Sequence, residues 1–180
     1  MSSLASLDTS AVTDPTVVLR LRLIEHRVAM LRDVLDQDKT AAAELTELVA
    51  ETKSTLTDMV GIAPRAAAEI IVEVGDVRRF TEAGFARFNG TAPNPATSGE
   101  GDGEPVRHRL SRGGNRRLNA AIHRVATTQL RCEPRARQIY DQARANGHTR
   151  REAMRVLKRN LSNVIYRTML RDARQNAALT

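Results

Sequence analysis

The sequence predicts an all-α protein, and three observations lead there. Aromatic residues are only 3% of the chain and Trp is absent, so the core must be built from Leu, Val, Ile and Ala, which suits helices better than a sandwich. Apolar residues near the N-terminus recur at steps that alternate four and three, a heptad pattern. Further along, capping signals rather than strand alternation punctuate the chain. With 41% hydrophobic and 27% charged residues over 180 positions, one ordinary globular domain plus an appendage is expected.

Residues Met1 to Thr13 are small and polar, without the basic and apolar regions of a secretory signal, and read as a disordered tail. Thr13-Asp14-Pro15 opens the first helix, with proline tolerated in its first turn. Val17, Leu21, Ile24, Val28, Leu31 and Leu35 form the heptad seam, which continues through Ala42, Leu45, Val49 and Leu56. Asp38 and Thr52 interrupt it. Asp36-Gln37-Asp38-Lys39 is either a turn between two helices or a weak point in one. Continuous, about 40 residues would span roughly 60 Å. Such a seam calls for a partner helix: the other arm of a hairpin, a second protomer, or an N-terminal region missing from the chain.

Gly61 permits a tight turn, Pro64 starts a helix through Val74, and Gly75 supplies a left-handed cap. The layout is like a helix-hairpin-helix, whose helix N-terminus can hold a phosphate. Ala63 stands where a second glycine is usual, and an αα-corner that only packs is the alternative. Thr81 is the N-cap of the next helix, with Phe80 and Phe85 as a hydrophobic staple, and that helix ends near Asn89-Gly90. From Thr91 to Gly114 no helical period survives. A loop longer than about 15 residues is functional or disordered.

Two or three helices close the chain. One runs from about Asn115 to Cys132 and buries Leu118, Ile122 and Val125. A second starts at Pro134 and ends before Gly147. The third opens on Thr149-Arg150-Arg151-Glu152, a capping box, and buries Ala153, Leu157, Leu161, Val164 and Ile165. No β pattern and no repeat emerges. The expected segments are a tail at 1–13, a coiled-coil-like helical arm at 14–56, a compact helical domain at 57–172 with a long Gly/Arg-rich loop, and a tail at 173–180.

No window approaches the roughly 18 apolar residues of a membrane span, and a cytoplasmic location is the expectation. Cys132 is the single cysteine, so no intrachain disulfide or cysteine zinc cluster is possible; it is expected to be buried in its helix. Charge divides sharply along the chain. Met1 to Val106 carries 10 Lys+Arg against 17 Asp+Glu, whereas Arg107 to Asp172 carries 17 against 4. A basic half of this density reads as a polyanion surface; ordinary solvated helices are the plainer alternative.

Several motifs follow one another in order. They are Asn89-Gly90-Thr91-Ala92-Pro93, then Ser98-Gly99, then Arg107-His108-Arg109-Leu110-Ser111-Arg112-Gly113-Gly114-Asn115. Asn119-Ala120-Ala121-Ile122-His123 and the block Gly147 to Arg159 come next. Together this series resembles the C-terminal domain of transposases of the insertion sequence 110 family (the IS116/IS110/IS902 type), RNA-guided serine recombinases with a DEDD nuclease domain. The resemblance covers about Leu56 to Leu170.

The resemblance implies that Ser98 is the nucleophile that forms a phosphoserine link to DNA. Thr97 precedes it where relatives often show a second serine, so two hydroxyls are candidates. A serine needs its proton removed and the phosphate charge neutralised. Arg107, Arg109, Arg112, Arg116 and Arg117 are suited to clamp phosphate oxygens. Gly61, Arg65, Gly113, Gly114, Arg155, Lys158 and Arg159 complete the expected DNA contacts. His108 and His123 either assist proton transfer or, as is commoner for a His in a basic patch, contact phosphate or cap packing.

The family's other active-site component is an RNase H-like domain whose acidic residues hold divalent metal. Here Asp33, Asp36 and Glu44 lie at helical surface spacing without a two-metal pattern. No metal ligand or cofactor is expected in this chain, Mg²⁺ belonging to the nuclease domain. The chain looks like a truncated or separately encoded C-terminal part. The expected partners are DNA, guide RNA, and a second protomer or a nuclease-domain partner through the heptad arm. The expected function is DNA binding in transposition and recombination, with a serine nucleophile used when the nuclease half is supplied and no cleavage in isolation. The alternative is a non-catalytic nucleic-acid-binding or dimerisation fragment.

Overall fold

The computed structural model describes residues 14–95, 108–109 and 113–178. The protein is helical, as expected, with one short antiparallel pair that the sequence did not announce. The expected 1–13 tail lies outside the described residues.

Helix α1 spans Pro15–Glu51 without a break. Asp14 starts it by accepting the Thr16 amide at 2.8 Å. The Asp36–Lys39 segment is no turn. Lys39 pairs with Asp36 at 2.9 Å, and Thr40 Oγ1 donates to the Asp36 carbonyl, so these polar residues solvate the helix without breaking it. The chain divides into two compact units, Met1–Glu44 and Leu45–Thr180, with the division inside α1. In the first unit the seam residues Val17, Ile24, Leu31 and Leu35 are exposed, and so are Leu19, Leu23, Met30 and Val34 beside them.

The second unit holds the core. After a one-turn 3-10 helix at Thr55–Asp58 come α2 (Pro64–Val74), a 3-10 turn at Val77–Arg79, and α3 (Glu82–Phe88). Then follow β1 (Asn94–Pro95), β2 (His108–Arg109), α4 (Arg116–Cys132), α5 (Pro134–Ala145) and α6 (Arg150–Ala178). Helix α4 packs on α2, α5 and α6, while α6 also packs on α3, α5 and both 3-10 turns. Leu56, Ile70, Phe85, Leu118, Ile122 and Ile165 are fully buried between them. All three phenylalanines of the chain gather with Tyr166 at the α3–α6 contact, so four of its five aromatic residues sit at one place.

Local signals act as the sequence foretold. Thr81 accepts the Gly84 amide, and the Phe80 and Phe85 rings stand edge to face at 6.0 Å. Thr149 and Glu152 form a reciprocal capping box, and the two hydrogen bonds from Thr149 hold the Glu152 carboxyl below its usual pKa.

Four expectations change. Gly75 has φ 60° but ψ −128°, which is not the left-handed helical region, although its amide still closes α2 on Ile71. Val164 is 45% exposed because α6 turns Leu161 and Ile165 inward and Val164 away. Cys132 is exposed at the last turn of α4, its thiol donating to the Thr128 carbonyl. Helix α6 continues past residue 172 to Ala178 because its end is anchored. Buried Asp172 accepts the Thr55 amide and hydroxyl, both at 2.8 Å, and Asn176 donates to the Thr52 carbonyl. No described helix is long and apolar enough to cross a membrane.

Asp172 therefore staples the chain entering this unit to its last helix. Removing it leaves a part-buried amide without an acceptor. Asp172→Ala is expected to lower stability by about 2–3 kcal/mol, read from urea unfolding of the whole chain. A loss below about 0.5 kcal/mol would mean that water replaces the carboxylate at little cost.

Candidate functional site

The long loop after α3 leaves the core and returns to it at nearly one point. Its outgoing foot is Asn89-Gly90-Thr91, and its returning foot is Gly113-Gly114-Asn115. The Asn115 amide donates to the Phe88 carbonyl at 2.6 Å, tying the second foot to the end of α3. Farther out, Asn94 pairs with Arg109 and Pro95 with His108.

Glycine is required where the feet cross. Gly114 has φ +100°, and a Cβ there would lie 2.6 Å from the Phe88 carbonyl oxygen. Gly90, at φ +70°, would place a Cβ 3.0 Å from the Asn119 side-chain nitrogen. Both positions need the left-handed side of the backbone map, and one also needs the missing side chain.

A chain of amides sits beneath this crossing. Asn89 is fully buried. Its Nδ2 donates to Ser162 Oγ on α6 at 2.8 Å, and its Oδ1 accepts the Thr91 amide and hydroxyl. Its backbone carbonyl accepts Asn119 Nδ2 from α4 at 2.5 Å. Asn119 Oδ1 in turn accepts Lys158 Nζ from α6 at 2.6 Å. Asn115 caps α4 through the Leu118 amide and donates to Glu73 on α2. Helices α2, α3, α4 and α6 thus all contribute to the loop base.

Lys158 is half-buried, and burial lowers its ammonium pKa. His123 on α4 is lowered as well, first by loss of water around its ring and then by the Lys158 charge.

The basic residues chosen from the sequence divide into groups. Arg117 lies 3.6 Å from Glu73, and Arg124 pairs with Glu69, which Arg65 also approaches at 3.9 Å. Part of the basic half therefore neutralises the acidic face of α2. Arg116 is exposed at the start of α4, and Arg155 and Lys158 lie partly buried on α6. Arg159 is on α6 too, with its Nη1 buried and unpartnered. Gly113 and Gly114 are at the loop foot. Arg109 is placed by its backbone in β2. Ser98, Thr97, Arg107 and Arg112 lie outside the described residues.

Gly61 has φ +83°, and its turn rests on α4. A Cβ there would meet Gln129 and Thr128 at 3.3–3.4 Å, and Gln129 donates to the Val60 carbonyl at 2.7 Å. A 3-10 turn, not an α-helix, precedes the glycine.

Sequence reading missed Asn89, Ser162 and the role of Asn119. Asn119 stands within one of the ordered motifs, which was the available signal. Asn89 looked like a helix stop, and Ser162 carried no signal in the sequence. Among the described residues no group of three or more His, Cys, Asp or Glu is placed to hold a metal ion, so they do not fit a divalent-metal centre.

The sequence matches known proteins. Residues 53–141, about half of the chain, match the model of the transposase IS116/IS110/IS902 family. The chain belongs to that family. It is 32% identical over 173 residues to the insertion element IS110 uncharacterized 43.6 kDa protein of Streptomyces coelicolor. That match covers 93% of this chain and 41% of the relative, so the chain spans well under half of that protein's length.

Two outcomes follow from the geometry. Gly114→Ala is expected to cost on the order of 2–3 kcal/mol in chemical unfolding, since strain at positive φ adds to a backbone clash. Wild-type stability for this variant would show that the feet do not cross as described. His123 has a depressed pKa, so its contribution to stability is present above its ordinary value of 6.5 and fades as pH falls through the folded value. Lys158→Gln removes one of the two causes, and an NMR titration of His123 should move part of the way back toward 6.5. No movement would mean that the ammonium does not act on the ring.

Proposed function

We propose that this chain is the DNA-handling part of a transposase and that its long loop presents Ser98 as the nucleophile in strand exchange. Family membership carries the reading, and two physical features support it. The net charge of the 107–172 stretch is +13, from 17 basic and 4 acidic residues. The loop bearing Ser98 springs from a rigid base, which is how an irregular segment keeps a reactive group in register.

In the proposed step, Ser98 Oγ attacks the phosphorus of a DNA phosphodiester. The Oγ–P bond forms, the bond from phosphorus to the departing sugar oxygen breaks, and the seryl proton ends on that oxygen. A phosphoserine link holds one strand end, and reversal onto a new sugar hydroxyl completes an exchange. Arginines from the loop and from the start of α4 neutralise the charge that builds on the phosphoryl oxygens. Guide RNA, a second polyanion, would use the same basic surface.

A second reading keeps nucleic-acid binding and drops the chemistry: a module that binds and pairs through α1. The exposed apolar seam at Val17, Ile24, Leu31 and Leu35 favours it.

Both readings predict DNA binding that weakens with salt, because phosphate contacts release counterions. They part at Ser98. With the remainder of the transposase supplied in trans, end-labelled DNA should become covalently attached to the wild-type chain. Ser98→Ala should bind DNA within about twofold of wild type and abolish the attachment. Attachment that persists in Ser98→Ala but vanishes in Thr97→Ala assigns the neighbouring hydroxyl, and attachment to neither leaves the binding module as the function.

A further inference from the structure

Lys158 is at an odd place for a cation. It is half-buried on α6, and an ammonium has three donors and no acceptor. One donor meets Asn119 Oδ1 at 2.6 Å, a neutral amide. Among the described residues no carboxylate pairs with it. Burial of a charge without a counter-charge costs stability, and a glutamine would make the same bond to Asn119 without that cost. The charge thus looks outward, to an acceptor supplied by a ligand.

The surroundings say what kind of ligand. On α6, Arg151 and Arg155 precede Lys158 at seven and three residues, on the same face of the helix. On α4, Arg116 and His123 flank Asn119 at three and four residues. The Lys158–Asn119 bond marks where these two faces meet. Inward of it, Asn119 grips the Asn89 carbonyl, at the outgoing foot of the loop.

We propose that Lys158 contacts a DNA-backbone phosphate and passes that contact through Asn119 to the feet of the loop that carries Ser98. The inference rests on the DNA-handling reading above. A phosphate oxygen accepts the remaining Lys158 donors and supplies the missing counter-charge. The Asn119 amide already bridges Lys158 at Oδ1 and the Asn89 carbonyl at Nδ2, so fixing Lys158 on a phosphate fixes Asn119 and with it the loop foot. Lys158 is a positioning residue in this scheme, one that ties loop order to bound DNA.

The test separates charge from hydrogen bonding. Lys158→Gln keeps a donor for Asn119 and loses the charge, Lys158→Arg keeps the charge, and Lys158→Met loses both. Binding of the whole chain to a labelled random-sequence duplex is followed over a salt series. Hydrogen exchange is read at the Thr91 and Asn115 amides with and without that duplex. Lys158→Gln and Lys158→Met should each lower the salt slope by about 0.9, the share of one phosphate. Duplex should slow exchange at both amides in wild type and Lys158→Arg, and not in Lys158→Gln. A Gln variant with the wild-type slope and protection overturns the proposal. Should that variant fail to fold, the wild-type chain still decides: the Lys158 ε-methylene NMR signal shifts with duplex if the proposal holds, and an unmoved signal overturns it. A wild-type chain that binds no duplex defeats the DNA-handling reading and this inference together, whereas binding that is indifferent to Lys158 defeats only the inference.

Discussion

Asn89 has no exposed surface, and its side-chain polar atoms and its carbonyl are occupied by Ser162 of α6, Thr91 of the loop and Asn119 of α4. A buried amide is tolerated only when its hydrogen-bonding capacity is met. That requirement fixes the rest of the loop base. Ser162 must face it from α6, Thr91 must fold back over it, and Asn119 must reach it from α4. The returning strand then has room only for a glycine at position 114. One satisfied polar group thus sets the angle at which the loop departs and the point to which it comes back.

Helix α6 is the element against which the other parts of this unit are registered. Tyr166 donates to the Phe80 carbonyl at 2.8 Å, Ser162 holds the loop foot, and Asp172 holds the entering chain. Its charged residues divide by height along the helix. Arg167 pairs with Glu82, and Arg171 lies 3.8 Å from Asp172. Nearer the start, Lys158 meets the Asn119 amide and, among the described residues, no carboxylate. On α4 the arginines at positions 117 and 124 lean on Glu73 and Glu69 of α2. The split between acidic and basic halves is therefore partly internal bookkeeping within the fold.

Much of the secondary structure was legible because its signals are local. Thr81 with Phe80 and Phe85, Asn115 ahead of α4, and Thr149 with Glu152 each declare a helix start within a few residues. The loop was legible as a break in period. The Asn89–Ser162 bond was not, since its partners are 73 positions apart and each residue alone resembles a surface polar residue. The polar run at Asp36–Lys39 could be read as a turn or as a weak point in one helix, and an internal ion pair lets the helix pass through it. Cys132 was read as buried from residue type, but its exposure follows from where the last turn of α4 points. The arginine series was legible as a set; which members face α2 carboxylates depends on helix packing. Ser98 was legible only through the ordered motifs around it, since a serine beside a glycine carries no signal of its own.

The crossing of Gly114 over the end of α3 also separates the fold from what the loop encloses. With both feet fastened, the helices do not sense how many residues lie between them except through the entropy of a closed loop. Doubling such a loop costs only about 0.6 kcal/mol. For the fold, the segment between Thr91 and Gly113 is thus a cartridge: a change in its length leaves the helical frame its stability, and only the chemistry it carries constrains its sequence.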